Sequence, residues 1–123
     1  MYGKELILDI HNCNCDSGEF SRGNIKRFMK QLCLMINMER HDLCFWDYKG
    51  QPEEYAKAPP HLKGTSAVQF ISTSNITIHT LDEMRRVYLN IFSCKSFKSS
   101  VVKEVALNFF GGEIVNATAI TRV

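Results

Sequence analysis

Three short runs of alternating apolar and polar residues follow one another in the middle of the chain, and they constrain the fold more than any other feature. In chain order they are Ser66–Ser72, Asn75–Leu81 and Arg86–Ser93. A period of two places alternate side chains on opposite faces of a strand, so Ile76 and Ile78 share one face and Thr77 and His79 share the other. Because the links between the runs are short, we expect consecutive antiparallel strands.

Two other segments have helical periodicity. In Ser21–Asn37 the apolar stripe consists of Ile25, Phe28, Met29, Leu32 and Ile36. Ser21 or Asn24 can cap its start. In Phe97–Phe110 the predicted buried face consists of Phe97, Val101, Val105 and Phe109. We expect Ser96 to cap this second helix and Gly111-Gly112 to end it.

The remaining segments complete the predicted element order β-α-β-β-β-β-α-β. Further strands are expected at Lys4–His11, Asp42–Tyr48 and Glu113–Arg122, and an irregular connection at Lys49–Gly64, which is rich in proline and glycine. The pattern predicts an α+β fold: a two-layer sandwich with a mostly antiparallel sheet and two helices on one face. With 123 residues, we expect a single domain, 1–123. We also expect the second sheet face to pack against another copy in a homodimer.

The charge balance and the cysteines narrow the function classes. Fifteen basic and 13 acidic residues give a net charge of +2, and the basic residues are scattered, so we expect no nucleic-acid partner. No apolar run reaches the length of a bilayer span, and Met1–Leu8 does not resemble a signal peptide, so we expect a cytoplasmic protein without a membrane partner. Five cysteines are an odd number, which favours free thiols. Cys13 and Cys15 lie too close together for the usual zinc spacing, and we predict no metal site.

The chain lacks the common catalytic motifs, such as G-x-S-x-G, the Walker loop and H-E-x-x-H. Polar and reactive side chains nevertheless gather on and between the central strands. They are Ser66, Ser72, Thr73, Ser74, His79, Glu83 and Cys94. Each of them alone is typical of a structural residue, and spacing by itself does not show that they meet in space.

The run from Gly64 to Cys94 resembles the core of the prokaryotic S-adenosylmethionine decarboxylase family. The family pattern is G-x-S, a strand, E-S-H-x-x-I-H-T-W-P-E, and a strand ending in F-T-C-G. The matching segments here are Gly64-Thr65-Ser66, Thr73-Ser74-Asn75, Ile78-His79-Thr80, Glu83 and Phe92-Ser93-Cys94. The spacings agree: eight residues from Ser66 to Ser74, five from Ser74 to His79 and 15 from His79 to Cys94.

The resemblance implies a proenzyme that cuts itself between Thr73 and Ser74. In such a reaction the Ser74 hydroxyl attacks the Thr73 carbonyl, the amide becomes an ester, and elimination and hydrolysis leave a pyruvoyl cofactor. The products are chains 1–73 and 74–123. The resemblance assigns Ser66 and His79 to this processing, and their chemistry suits an oxyanion donor and a base.

The resemblance also implies how turnover proceeds. The pyruvoyl group forms a Schiff base with the amine of S-adenosylmethionine and acts as the electron sink for decarboxylation, in the service of spermidine synthesis. Cys94 matches the acid that protonates the α-carbon. Glu83 matches the residue that binds the ribose hydroxyls, and Asp9 matches an acidic residue of the first strand, near the substrate.

Several positions depart from the family pattern. Thr73 stands for glutamate and Asn75 for histidine on either side of Ser74, Leu81-Asp82 stand for Trp-Pro, and Lys95 stands for glycine after Cys94. The processing residues are retained while the substrate-facing residues differ. Two alternatives to the decarboxylation of S-adenosylmethionine therefore stay open: a pyruvoyl decarboxylase of another amino acid, and a non-processed, non-enzymatic homologue.

Overall fold

Three consecutive hairpin-linked strands form the middle of the sheet. The computed structural model describes the whole chain, residues 1–123. The three strands are β3 (Gly64–Ile71), β4 (Ser74–Leu81) and β5 (Arg86–Ser93). On one side β2 (Arg40–Trp46) pairs with β3, and on the other side β1 (Gly3–His11) lies between β5 and β6 (Glu113–Arg122). The sheet order is β2-β3-β4-β5-β1-β6, and every pairing is antiparallel.

Two helices cover one side of the sheet, which we call the inner face. They are α1 (Arg22–Met35) and α3 (Ser99–Phe110). The apolar residues of β1, β4 and β5 alternate as the sequence predicts, and their inner set is buried: Leu6, Leu8, Ile10, Ile76, Ile78, Val87, Leu89 and Ile91. The opposite, outer face has no layer over it and carries exposed Trp46 and Phe70. The predicted α+β architecture is thus confirmed.

The first helix also follows the sequence prediction. All five predicted apolar residues of the stripe are buried, and Cys33 joins them. Ser21 caps the helix, because its Oγ accepts a hydrogen bond from the Asn24 N–H at 3.2 Å.

None of the helices in the protein has the length and apolar character that crossing a bilayer requires.

The second predicted helix begins later than the sequence suggests. It starts at Ser99, so Ser96 is not its cap, and Phe97 is a buried residue of the loop before it. The Phe97 carbonyl accepts a hydrogen bond from Lys4 Nζ at 2.7 Å, which holds the loop to β1. The buried positions of the helix are accordingly Val102, Val105, Ala106 and Phe110, whereas the predicted Val101 and Phe109 are only partly buried.

The predicted irregular connection contains a short helix, α2 (Pro52–Lys57), and a single 3₁₀ turn at Pro60–Leu62. Proline at the first helical position, Glu53 and Glu54 in the first turn and Lys57 in the last turn are ordinary helix signals. No residue of α2 is buried, which is why no apolar stripe marks it in the sequence. The 3₁₀ turn of this connection lies beside the outer-face residues described below.

Candidate active site

The predicted cleavage site lies in the tight turn between β3 and β4. Ile71 pairs with Ser74, so Ser72 and Thr73 form a two-residue turn. Thr73 has a φ of +52°, in the left-handed region. That conformation is unfavourable for a β-branched residue and costs roughly 1–2 kcal/mol. The residue that carries the predicted scissile carbonyl is therefore held in a strained conformation.

Cys94 provides both hydrogen-bond partners of the Ser74 hydroxyl. Its N–H donates to Ser74 Oγ at 3.2 Å, and Ser74 Oγ donates to Cys94 Sγ at 3.9 Å. Cys94 directly follows β5, the strand that pairs with β4, which explains the contact. The Thr73 hydroxyl, 3.4 Å from the sulfur, and then the Ser74 hydroxyl lower the pKa of Cys94 by hydrogen bonding to it. Thr73, Ser74 and Cys94 thus meet, and we call this cluster the cleavage end.

Ser66 and His79 form a second cluster at the other end of the same hairpin. They lie directly opposite each other on β3 and β4, with Ser66 Oγ 2.8 Å from His79 Nδ1. Gly64 permits this pairing, because a Cβ there would collide with the Thr80 carbonyl. His79 is exposed and Nε2 has no hydrogen-bond partner, so that nitrogen is free to exchange a proton.

A groove of about 360 Å³ on the outer face opens beside this pair. Trp46 and Tyr88 line it, and the exposed fraction of Trp46 is 61%. No sequence motif marks either residue as part of the site. Their link to the site follows from register alone, since Trp46 lies opposite Ser66 and Tyr88 opposite His79. We call the Ser66–His79 pair together with this groove the histidine end.

The two predicted substrate-binding carboxylates also lie toward the histidine end. Asp9 faces Tyr88 across the β1–β5 ladder and accepts a hydrogen bond from Asn116 Nδ2 at 3.1 Å. Glu83 is in the β4–β5 turn, and its Oε1 accepts a hydrogen bond at 2.9 Å from Nζ of the nearly buried Lys63. No sequence pattern predicts this ion pair, because Lys63 and Glu83 are 20 residues apart.

The Glu83 turn is fastened to α2 by a tyrosine. Tyr55 donates a hydrogen bond to Asp82 Oδ2 at 2.6 Å, and this bond raises the pKa of Tyr55 to about 12. Lys63 Nζ also lies 5.1 Å from the centre of the Tyr55 ring. The helix α2 thus holds the predicted ribose-binding segment in place through this hydrogen bond.

The cleavage end and the histidine end do not meet within one chain. Ser74 and His79 are five residues apart on an extended strand, which separates their Cα atoms by about 16 Å. Direct proton transfer requires hydrogen-bond distance. The Ser66–His79 pair therefore cannot act on the Thr73–Ser74 bond of its own chain in this conformation.

The cysteines near the start of the chain serve the fold. Cys13 is buried, its Sγ donates to the Ile10 carbonyl, and burial raises the pKa of its thiol to about 11. Cys15 Sγ donates to the Asp82 carbonyl. All five cysteines are free thiols, and no group of three or more His, Cys, Asp or Glu side chains is arranged to hold a metal ion.

Comparison with known proteins relates this geometry to a family. The crystal structure of the adenosylmethionine decarboxylase from Aquifex aeolicus superposes with a TM-score of 0.75 at 15% sequence identity, covering 98% of this chain and 90% of that one. At this identity the similarity establishes the fold. No curated protein sequence gives a significant match. The family model described as S-adenosylmethionine decarboxylase matches residues 4–123. Because that match extends over nearly the whole sequence, the chain belongs to the S-adenosylmethionine decarboxylase family.

Proposed function

We propose that this protein cleaves itself between Thr73 and Ser74 to form a pyruvoyl group and then decarboxylates S-adenosylmethionine for spermidine synthesis. The observation that carries the proposal is the environment of Ser74. Its hydroxyl is held between the N–H and the sulfur of Cys94, and its side chain is buried, with 7% exposure. Burial of Ser74 limits the access of water to its hydroxyl and restricts the positions that the hydroxyl can take.

The residues at the cleavage end fit the formation of a pyruvoyl group. The serine is the first residue of a strand and follows a strained turn, so its hydroxyl and the preceding carbonyl belong to one tight bend. Cutting this bond relieves the left-handed conformation of Thr73 and leaves the former Ser74 still attached to β4. When present, the pyruvoyl group supplies the electron sink for loss of carbon dioxide. Cys94 then lies in contact with residue 74, where an acid for the α-carbon is needed.

We propose that the active unit is a homodimer in which each site combines the two ends from different copies. The separation of about 16 Å along β4 supports this, because Ser66 and His79 can reach a Thr73–Ser74 bond only from another chain. Consider a two-fold axis that runs between the two stacked sheets, at right angles to their strands, and passes over the middle of β4. Such an axis would place the cleavage end of each chain opposite the histidine end of the other. Ser66 would then donate to the developing oxyanion, and His79 Nε2 would remove the α-proton of Ser74 from the ester.

The outer face of the sheet is the surface proposed for this dimer. Trp46 and Phe70 on it are exposed, and they lie on the same side of the sheet as Ser66 and His79. Two sheets packed face to face are separated by about 10 Å, a gap that side chains of this size can fill. Burial of such residues provides the free energy for association.

The groove of the histidine end is the proposed binding site for the nucleoside part of the substrate. Trp46 and Tyr88 offer aromatic faces to the adenine ring and to the sulfonium cation. Glu83 is proposed to accept hydrogen bonds from the ribose hydroxyls.

The five free thiols agree with the reducing cytoplasm as the place of action.

A pyruvoyl decarboxylase of another amino acid is the second candidate function. It is favoured by one observation, the ion pair between Lys63 and Glu83, because it occupies a carboxylate oxygen that a ribose would need. A non-processed homologue without enzymatic activity remains the alternative to both.

Release of carbon dioxide from carboxyl-labelled substrates distinguishes these candidates. We expect wild-type protein to release label from S-adenosylmethionine, and the Ser74→Ala variant to release none. Faster release of label from a different amino acid would mean that this amino acid is the substrate and that the pyruvoyl mechanism still holds. No release from any amino acid by protein shown to be cleaved would refute the proposed activity.

A further inference from the structure

Cys94 is hydrogen-bonded to the Ser74 hydroxyl, the group that attacks in the proposed cleavage. We propose that Cys94 is the base that takes the Ser74 Oγ proton when the ester forms, and that Thr73 is the positioning residue that prepares it. This inference rests on the proposed self-cleavage. It adds a separate role, because the resemblance gives Cys94 a part only in turnover and assigns processing to Ser66 and His79.

The hydrogen bonds around Ser74 provide the first argument. Ser74 Oγ accepts from the Cys94 N–H at 3.2 Å, which occupies a lone pair of the oxygen and turns its hydrogen toward Cys94 Sγ at 3.9 Å. Sulfur is a large acceptor, and this distance is within its hydrogen-bonding range. No other side chain is hydrogen-bonded to the Ser74 hydroxyl, so the sulfur is the acceptor placed to take its proton.

Thr73 provides the second argument, because it replaces a glutamate of the resembled pattern. Its Oγ1 is 3.4 Å from Cys94 Sγ. A carboxylate at this position would repel a thiolate. The Thr73 hydroxyl donates to the Ser72 carbonyl at 2.8 Å in this structure, and it can turn to donate its hydrogen to the sulfur once the thiolate forms. The hydrogen bond from Thr73 is the largest cause of the lowered pKa of Cys94, followed by that from Ser74. This departure from the pattern thus favours the thiolate that a base requires.

Of the groups that hydrogen-bond to the Cys94 sulfur, these two hydroxyls lower its pKa most. Tyr2, in the segment before β1, makes a smaller hydrogen-bond contribution that also lowers the pKa of Cys94. The ammonium groups of Lys4 and Lys95 donate to backbone carbonyls at 2.7 and 2.6 Å. His41, on β2, is hydrogen-bonded to the Ser72 hydroxyl in the turn, and it is the rival base that an experiment must exclude.

The step conserves atoms and protons. The Cys94 thiolate accepts the hydroxyl proton as Ser74 Oγ forms a bond to the Thr73 carbonyl carbon. The resulting tetrahedral species collapses with rupture of the C–N bond, and the thiol returns its proton to the departing nitrogen. The products are an ester between Thr73 and the Ser74 oxygen, a free α-amine on Ser74 and a regenerated thiolate. His79 of the other copy acts only afterwards, on the ester.

The test follows cleavage of freshly synthesised full-length chain by intact mass spectrometry, across buffers from acidic to alkaline pH. We expect wild-type cleavage to accelerate as pH rises through the lowered pKa of Cys94 and then to level off. Loss of a general base costs about 100-fold or more, so Cys94→Ala and Cys94→Ser should cleave at least that much more slowly. They should also yield no hydroxylamine-sensitive ester, because they stop before it forms.

Thr73 variants separate positioning from packing. Thr73→Val keeps the shape and the β-branch but removes the hydroxyl, and we expect it to shift the pH–rate curve to higher pH. Thr73→Ser restores the hydroxyl and should restore the wild-type curve. Thr121→Val, the same change at an exposed position of β6, should leave the curve unchanged.

Two results would overturn the inference while leaving the proposed function intact. One is cleavage of folded Cys94→Ala at the wild-type rate with an unchanged pH profile. The other is a loss of at least 100-fold in His41→Gln with little loss in Cys94→Ala, which would move the base to β2. Circular dichroism verifies that each variant is folded. If wild-type chain itself never cleaves, the proposed function fails as well, so the two failures are distinguishable.

Discussion

Ser66 Oγ lies 2.8 Å from His79 Nδ1 across the β3–β4 ladder, and this pair is about 16 Å along the strand from Ser74. The hydrogen bond fixes the imidazole ring through Nδ1 and leaves Nε2 free. A histidine held in this way suits proton removal from a group that approaches over the outer face. In the proposed mechanism Ser66 of the other copy stabilises the oxyanion while the ester forms, and His79 acts afterwards on the ester.

The first prediction concerns His79→Ala. The variant should form the ester between Thr73 and Ser74 but fail to eliminate it, since no base then removes the α-proton. Hydroxylamine cuts esters and leaves amides intact, so its addition should release fragment 1–73 in good yield. His61→Ala, which changes another histidine of the groove, is the matched control and should process normally. Spontaneous completion of cleavage in His79→Ala would remove His79 from the processing machinery.

The second prediction concerns the composite site. Light scattering should give the mass of a dimer, and co-expression of differently tagged Ser74→Ala and His79→Ala chains should give mixed dimers. In such a dimer one site combines Ser74 from the His79→Ala chain with His79 from the Ser74→Ala chain. We therefore expect cleavage of the His79→Ala chain alone. A site confined to one chain would leave both uncut, and a monomer in solution would count equally against the account.

The strand predictions from the sequence succeeded because burial of one face imposes a strict period of two. Ile76 and Ile78 are fully buried, and His79 is exposed between the buried Ile78 and Thr80, as the alternation requires. The same geometry already implies that residues 74 and 79 are far apart, because strands are extended. The sequence motif therefore identifies the residues of the site, but it does not show that they divide into two separate ends.

Other features were not readable from the sequence for physical reasons. The helix α2 has no fully buried residue and therefore no periodic apolar stripe, so only its Pro52, Glu53 and Lys57 end signals mark it. In the loop before α3, the Phe97 carbonyl accepts a long-range hydrogen bond from Lys4, a contact that local sequence signals do not encode. The pairing of Lys63 with Glu83 likewise depends on tertiary contact, between the entry to β3 and the β4–β5 turn.

The third prediction concerns thiol reactivity. Burial raises the pKa of both Cys13 and Cys33 to about 11, whereas hydroxyl hydrogen bonds lower that of the exposed Cys94. The thiolate is the reactive form, so at mildly alkaline pH iodoacetamide should modify Cys94 first and the two buried thiols last. The rate at Cys94 should fall as pH drops through its pKa. Peptide mapping measures the order, and equal rates at all five cysteines would contradict the geometry.

The fourth prediction concerns strain at Thr73. In the uncleavable Ser74→Ala background, Thr73→Asn should raise the free energy of unfolding by about 1 kcal/mol, because asparagine tolerates the left-handed region better than a β-branched residue. Thr118→Asn, on the exposed strand β6, is the control and should give no such gain. Urea denaturation monitored by circular dichroism measures the difference. A loss of stability in Thr73→Asn would mean that the turn is not strained.

The central claim is that this chain makes its own pyruvoyl group, and an intact-mass spectrum of purified wild-type protein tests it most directly. The account predicts two chains, 1–73 and 74–123, with the second lighter by one ammonia than a serine-terminated fragment and resistant to amino-terminal sequencing. Ser74→Ala should show only the full-length mass. Wild-type protein that keeps the mass of the 123-residue chain on prolonged incubation, and releases nothing with hydroxylamine, would contradict the account.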